Sequence, residues 1–113
     1  MRIDVRTKHI ELTEKLRTYA ERRVHFALSR LAPEIASVTV RIEDVNGPRG
    51  GADKHVSFTV RGPRIGDVQI EETNLDVFAG VDLVADRAAR NVTRALQRRR
   101  HVRSVEHAVR RAS

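Results

Sequence analysis

At 113 residues, 40% hydrophobic and 33% charged, the chain holds apolar material for one domain with one modest core and does not have the profile of a wholly disordered chain. The absence of cysteine excludes disulfides, a thiolate nucleophile and a zinc-finger framework, and no apolar run approaches the length of a membrane span. The formal charge of +7 points to a polyanionic partner, nucleic acid first and an anionic membrane surface second.

In chain order, Met1–Thr7 alternates, with Ile3 and Val5 on one side and Arg2, Asp4 and Arg6 on the other, and predicts a half-buried strand. The same segment lacks the apolar core of a signal peptide. Thr13 is placed to cap a helix, and Leu16, Ala20, Val24, Ala27 and Leu31 follow a helical period, so a first helix is expected from about Glu14 to Leu31, bounded by Pro33. A second file on it, Lys15, Tyr19, Arg22, Phe26 and Arg30, interleaves cations with aromatics. Two readings stand for that file: aromatics edging the core, or a surface that stacks or clamps nucleic acid.

Ser37–Glu43 is a second strand, with Val38, Val40 and Ile42 inward. Asp44–Asp53 is a loop, and its glycines and Arg49 match neither a P-loop nor a dinucleotide fingerprint, so a hairpin connection is expected. His55–Arg61 is a third strand with Val56, Phe58 and Val60 inward, and Ile65–Glu71 a fourth with Val68 and Ile70 in phase. Ile65 is out of phase, which marks Gly66 as a candidate bulge.

The stretch Asn74–Arg100 has one glycine and no proline, and is expected as a long helix capped by Asn74. Val77, Val81, Val84, Ala88, Val92 and Ala95 fall on one stripe, and Arg87, Arg90, Arg94 and Arg98 form a file on the far side. Charge is uneven along the chain: residues 1–74 hold 13 basic and 11 acidic side chains, and residues 75–113 hold nine and four. Arginine's planar fork suits phosphate, although an arginine-rich genome would give the same bias and a row of charge can simply solvate an outer face. Beyond Arg98 the pattern fails, since Arg99 lands on the apolar side; residues 101–113 are expected either to continue the helix or to form a disordered basic tail.

The order β-α-β-β-β-α predicts a two-layer α+β domain: a four-stranded sheet with two helices packed on one face. His9, His25, His55, His101 and His107 are scattered without metal-ligand spacing, and the carboxylate pairs Glu71–Glu72 and Asp82/Asp86 fit solvation and helix N-terminal charge, so neither an enzyme nor a cofactor or metal site is expected.

With these residues in view, the chain resembles the bacterial ribosome hibernation promoting factors, also described as ribosome-associated inhibitors. The likeness covers Met1 to about Arg100. It rests on the opening strand, on IELTEKLRTYAERRV as first helix, on VTVRIEDVNGPRGGADK leading into the third strand, and on NLDVFAGVDLVADRAARNVTRAL. The run Asp-x-Phe-Ala-Gly-Val-Asp is similar to the family's Asp-Met-Tyr-x-Ala-Ile-Asp start to the last helix, with Phe78 where tyrosine is common. The resemblance implies a cytoplasmic stress-response protein whose partner is the small ribosomal subunit and its RNA, with no membrane and no small-molecule substrate. It would occupy the messenger and transfer RNA channel near the decoding centre. Arg87, Arg90 and Arg94 match the family's basic positions in the last helix, and Arg17 and Arg23 match first-helix positions. Arg22, Arg30 and Arg98 extend the RNA-binding set on the charge pattern alone. The implied domain plan is a ribosome-binding unit over 1–100 and a basic tail over 101–113. The resemblance is to the short, monomeric members, without the C-terminal dimerisation domain of the long ones. Two alternatives use the same fold: a nucleic-acid-binding module away from the ribosome, and a protein-interaction domain whose open sheet face (Arg2, Arg6, Arg41, Arg61) docks an acidic partner.

Overall fold

The described residues form β1 (Arg2–Lys8), α1 (Glu14–Leu28), a 3-10 helix (Ser29–Glu34), β2 (Ser37–Asp44), β3 (Lys54–Gly62), β4 (Gly66–Asn74) and α2 (Val77–Ala112). The computed structural model describes residues 1–45 and 53–112, without the side chains of 102–104, 107 and 110–112. The expected glycine-rich connection with Arg49 lies outside the described residues.

The four strands make one sheet in the order β1-β2-β3-β4. β1 runs parallel to β2, as a strand must when a helix carries the chain back to the same sheet end; β2–β3 and β3–β4 are antiparallel hairpin pairs. The register sets Val5, Val40, Phe58 and Ile70 in one line across the sheet, all buried. Because side chains alternate along a strand, one face carries this line and its neighbours, while Arg2, Arg6, Arg41 and Arg61 on the other face are exposed. Both helices pack on the apolar face, giving the two-layer α+β arrangement that the sequence predicts. Leu16, Ala20, Val24 and Leu28 of α1 and Val81, Val84, Ala85, Ala88, Val92 and Leu96 of α2 close the core over it.

Four local expectations are corrected. The first helix is α-helical only to Leu28, whose ψ of 0° ends the α-helix; Leu31 sits in the 3-10 turn that contains Pro33. Its start is as read, with Leu16 N–H donating to Thr13 Oγ1 at 3.1 Å. The cap of α2 is Asp76, not Asn74. Asn74 is the last residue of β4, and its Oδ1 accepts the Asp76 N–H at 3.0 Å, turning the chain out of the strand. Asp76 then accepts from Phe78 N–H through Oδ1 (3.1 Å) and from Gly80 N–H through its carbonyl (2.9 Å), satisfying two of the first-turn donors. On α2 the buried stripe takes Ala85 and Leu96, while Val77 and Ala95 are half-buried at its margins.

Gly66 has φ +65°, and the Ile65 N–H donates to the Gly62 carbonyl at 3.3 Å. The glycine therefore closes the β3–β4 hairpin in the left-handed region rather than interrupting a strand. Gly62 answers a different demand. A Cβ there would lie 2.0 Å from the Glu34 carbonyl oxygen, so only glycine lets the 3-10 turn pack against the hairpin. Beside it the Ala36 N–H donates to the Arg61 carbonyl (2.7 Å) and the Arg2 N–H to the Ala36 carbonyl (3.1 Å), tying the turn to both β1 and β3.

Candidate nucleic-acid interface

The two helices run side by side in the same direction: Tyr19 meets Phe78 and Asp82, and Arg23, one turn on, meets Asp82 and Asp86. The seam is thus a polar and aromatic ladder laid over the apolar core. The Tyr19 hydroxyl donates to Asp82 Oδ1 at 2.7 Å, and its ring stands edge-on to Phe78 with centroids 5.0 Å apart. That hydrogen bond to a carboxylate, with burial second, raises the Tyr19 pKa above its ordinary value. Lys15 Nζ lies 5.7 Å from the Phe78 ring centroid, a cation over an aromatic face.

Arg23 is the centre of this ladder. Its Nη2 donates to Asp86 Oδ1 at 2.9 Å, and its Nε lies 2.8 Å from Asp82 Oδ1 as an ion-pair contact outside hydrogen-bond alignment. Its side chain is only 18% exposed. The sequence places Arg23 among RNA-binding cations; the fold occupies it in joining α1 to α2. Arg87 is similarly engaged, pairing with the Glu72 carboxylate and donating to the Glu71 carbonyl at 3.3 Å, which ties α2 to β4.

The remaining candidates are differently placed. Arg90, Arg94 and Arg98 on α2 and Arg17, Arg22 and Arg30 on the first helical segment are exposed, and none pairs with an acid among the described residues. On α2 the file Phe78, Asp82, Asp86, Arg90 advances by four residues, so Arg90 continues the seam-side edge where the acids stop. Arg94 and Arg98 lie within about 20° of Arg87 around α2, past the outermost line on the flank away from α1, and with Gln97 and His101 they line an open recess of ≈ 470 Å³. Arg22 faces outward beside the seam, and Arg30 lies past the end of α1 in the 3-10 turn. Arg17 does not join them: five residues before Arg22, it lies about 140° away around the helix, on the other flank. The helical layer therefore exposes Arg22, Arg30, Arg90 and Arg94 without acidic partners among the described residues, with Arg98 further along α2.

Past Leu96, the last buried residue of α2, the helix continues for sixteen residues, about 24 Å. This projection makes the molecule 64 Å long against 24 and 17 Å in its other dimensions. It also explains why Arg99 breaks the apolar stripe: no described residue covers it, and Arg98, Arg99, Arg100 and His101 are all exposed. Sequence reasoning did not select Arg99 and Arg100 because their period no longer fits a packed face, although the same misfit is the signal that the face has ended. Of the sheet arginines, Arg6 pairs with Asp4 (2.8 Å) and Arg61 with Asp67 (3.5 Å), while Arg2 and Arg41 pair with no acid among the described residues. Among the described residues no group of three or more potential metal ligands occurs, and no helix is long and apolar enough to cross a membrane.

Residues 3–100 match the family described as sigma 54 modulation protein / S30EA ribosomal protein. Among solved structures, the N-terminal domain of Protein Y from Thermus thermophilus is similar at 23% identity and a TM-score of 0.67, over 83% of this chain and 98% of that one. A ribosomal subunit interface protein from Coxiella burnetii is similar at 18% identity and a TM-score of 0.68, over 83% of this chain and 96% of that one. At these identities the likeness is one of fold. No curated protein matches the chain.

Proposed function

The chain belongs to the sigma 54 modulation protein / S30EA ribosomal protein family, and from that premise we propose that it silences idle ribosomes by lying in the messenger and transfer RNA channel of the small subunit, near the decoding centre. Membership makes it a ribosome-associated modulation factor; the site and the contacts are our reading. The observation that carries it is the cationic surface of the helical layer, where Arg22, Arg30, Arg90 and Arg94 stand exposed while the neighbouring Asp82 and Asp86 are engaged across the seam.

The mechanism is steric occupancy held by electrostatics. Each arginine that replaces counterions on a phosphate adds a salt-sensitive increment of affinity. Its fork can hold one phosphate with two hydrogen bonds, which fixes orientation as well as charge. Little base reading is required, because folded RNA is recognised largely through shape and backbone. The projecting end of α2, with Arg98, Arg99 and Arg100 exposed, extends the same field along the channel. A ribosomal partner also puts the protein in the cytoplasm.

The test is sedimentation of the protein with purified ribosomal subunits at low and moderate salt. Migration with the small subunit, displaced by messenger plus initiator transfer RNA, is expected. Protein that stays at the top of the gradient at both salts, or that sediments undisturbed by those RNAs, refutes the reading.

A further inference from the structure

On the same helical face lies a side chain that electrostatics does not use. Phe26 is 80% exposed, more than any other large hydrophobic residue among those described. The other aromatics of the chain differ: Phe58 is fully buried, and Tyr19 and Phe78 pack edge to face in the seam. The charged residues within four positions of Phe26 are all basic. Its neighbours three and four positions away are Arg22, Arg23, Ser29 and Arg30, three cations and no acid. The ring is also oriented. Arg23 Cζ lies 5.4 Å from its centroid, and Arg23 is itself fixed by Asp82 and Asp86. Tyr19, Arg22, Arg23 and Phe26 together line an open recess of ≈ 390 Å³.

From this we infer that Phe26 is a stacking platform for one unpaired base of RNA, a role that rests on the ribosome reading above. The rim decides the occupant. An apolar protein partner would leave the arginines around the ring facing an uncharged surface, whereas a nucleotide offers a flat π-face to the ring and phosphates to Arg22 and Arg30. Stacking on an aromatic ring adds affinity without releasing counterions, so it is separable from the arginine contribution by its salt dependence.

The test compares wild type, Phe26→Ala and Phe26→Trp in titrations with purified small ribosomal subunits at two salt concentrations. The expected loss for Phe26→Ala is roughly ten-fold in affinity at both salts, with the salt slope unchanged and the circular dichroism that of wild type. Phe26→Trp is expected to keep wild-type affinity. The chain contains no tryptophan, so the new indole is its only one, and its emission, read as the difference between subunits titrated with Phe26→Trp and with wild type, is expected to be quenched on binding. Unchanged affinity in Phe26→Ala, with wild type bound, overturns this role and leaves the ribosome reading standing. A blue shift of the indole without quenching assigns the ring to an apolar protein surface and also overturns it. Wild-type protein that does not bind the subunit overturns both.

Discussion

Arg90→Ala combined with Arg94→Ala separates binding from folding. Both side chains are exposed on the side of α2 away from the core, and neither pairs with an acid among the described residues, so the double variant is expected to unfold within about 0.5 kcal/mol of wild type. Its binding should change in a defined way. Each phosphate contact contributes roughly 0.7 to 0.9 to the slope of log affinity against log salt. Losing two makes the slope shallower by about 1.6, so a fourfold rise in salt, from about 50 to 200 mM, should narrow the gap between wild type and variant by about ninefold. The assay is a pair of binding isotherms at each salt with purified small subunits. Equal slopes for the two proteins would refute phosphate contact at these residues, whatever the absolute affinity. Arg87 is a poorer choice for this test. Its removal strips a partner from Glu72, and charge reversal there would set two carboxylates together, mixing a stability defect with a binding one.

Tyr19→Phe removes the hydroxyl donor to Asp82 and is expected to cost about 1 kcal/mol, because Asp82 keeps Arg23 and part of its hydration. The Tyr19 pKa is raised in the folded state by that hydrogen bond, so its contribution is fully present below the ordinary tyrosine value and is lost as pH rises through the folded value. Urea midpoints should therefore converge for wild type and variant as pH climbs above about 10; a gap constant with pH contradicts this. Gly62→Ala puts a Cβ where the Glu34 carbonyl oxygen stands, 2.0 Å away. It should destabilise by about 1–3 kcal/mol with an unchanged m-value, and a wild-type midpoint would show that the 3-10 turn moves aside freely.

Much of the fold was legible because each element announces itself locally. Strict alternation gave all four strands to within a few residues, and the period of Val81, Val84, Ala88 and Val92 gave the long helix and its buried side. The errors fall where two residues of similar chemistry compete. Asn74 and Asp76 both suit a cap, and the choice depends on where β4 releases the chain, a matter of its pairing with Lys54 in β3. Leu31 fits the helical period, but a proline two residues later stops the α-helix earlier. The site was less legible than the fold. A file of arginines is visible in sequence; which members are already engaged is not, since Arg23 meets acids some sixty residues away and Arg87 meets a strand. The aromatic file of α1 likewise needed the structure to divide it, Tyr19 into the seam and Phe26 onto the surface.

The engagement of Arg23 has a consequence for its neighbours. Asp86 and Arg90 are four apart on α2, the spacing at which an acid and a base pair along a helix. Asp86 instead bonds Arg23 across the seam, which leaves Arg90 without an acidic partner. On the ribosome reading proposed above, Arg23 would support RNA binding without touching RNA, by holding the carboxylate that would otherwise mute Arg90. Arg23→Ala should release Asp86 to pair with Arg90, a contact of about 0.3–0.5 kcal/mol on an exposed helix, and so weaken subunit binding about twofold. Adding Asp86→Ala should restore the share of that loss that passes through Arg90, leaving only what Arg23 supplies by holding the Phe26 ring. Restoring net charge elsewhere, with Glu106→Gln on the projecting end of α2, should not. If Arg23 contacts phosphate directly, the Arg23→Ala/Asp86→Ala protein stays weak and its salt slope falls by about one, and the indirect role is wrong.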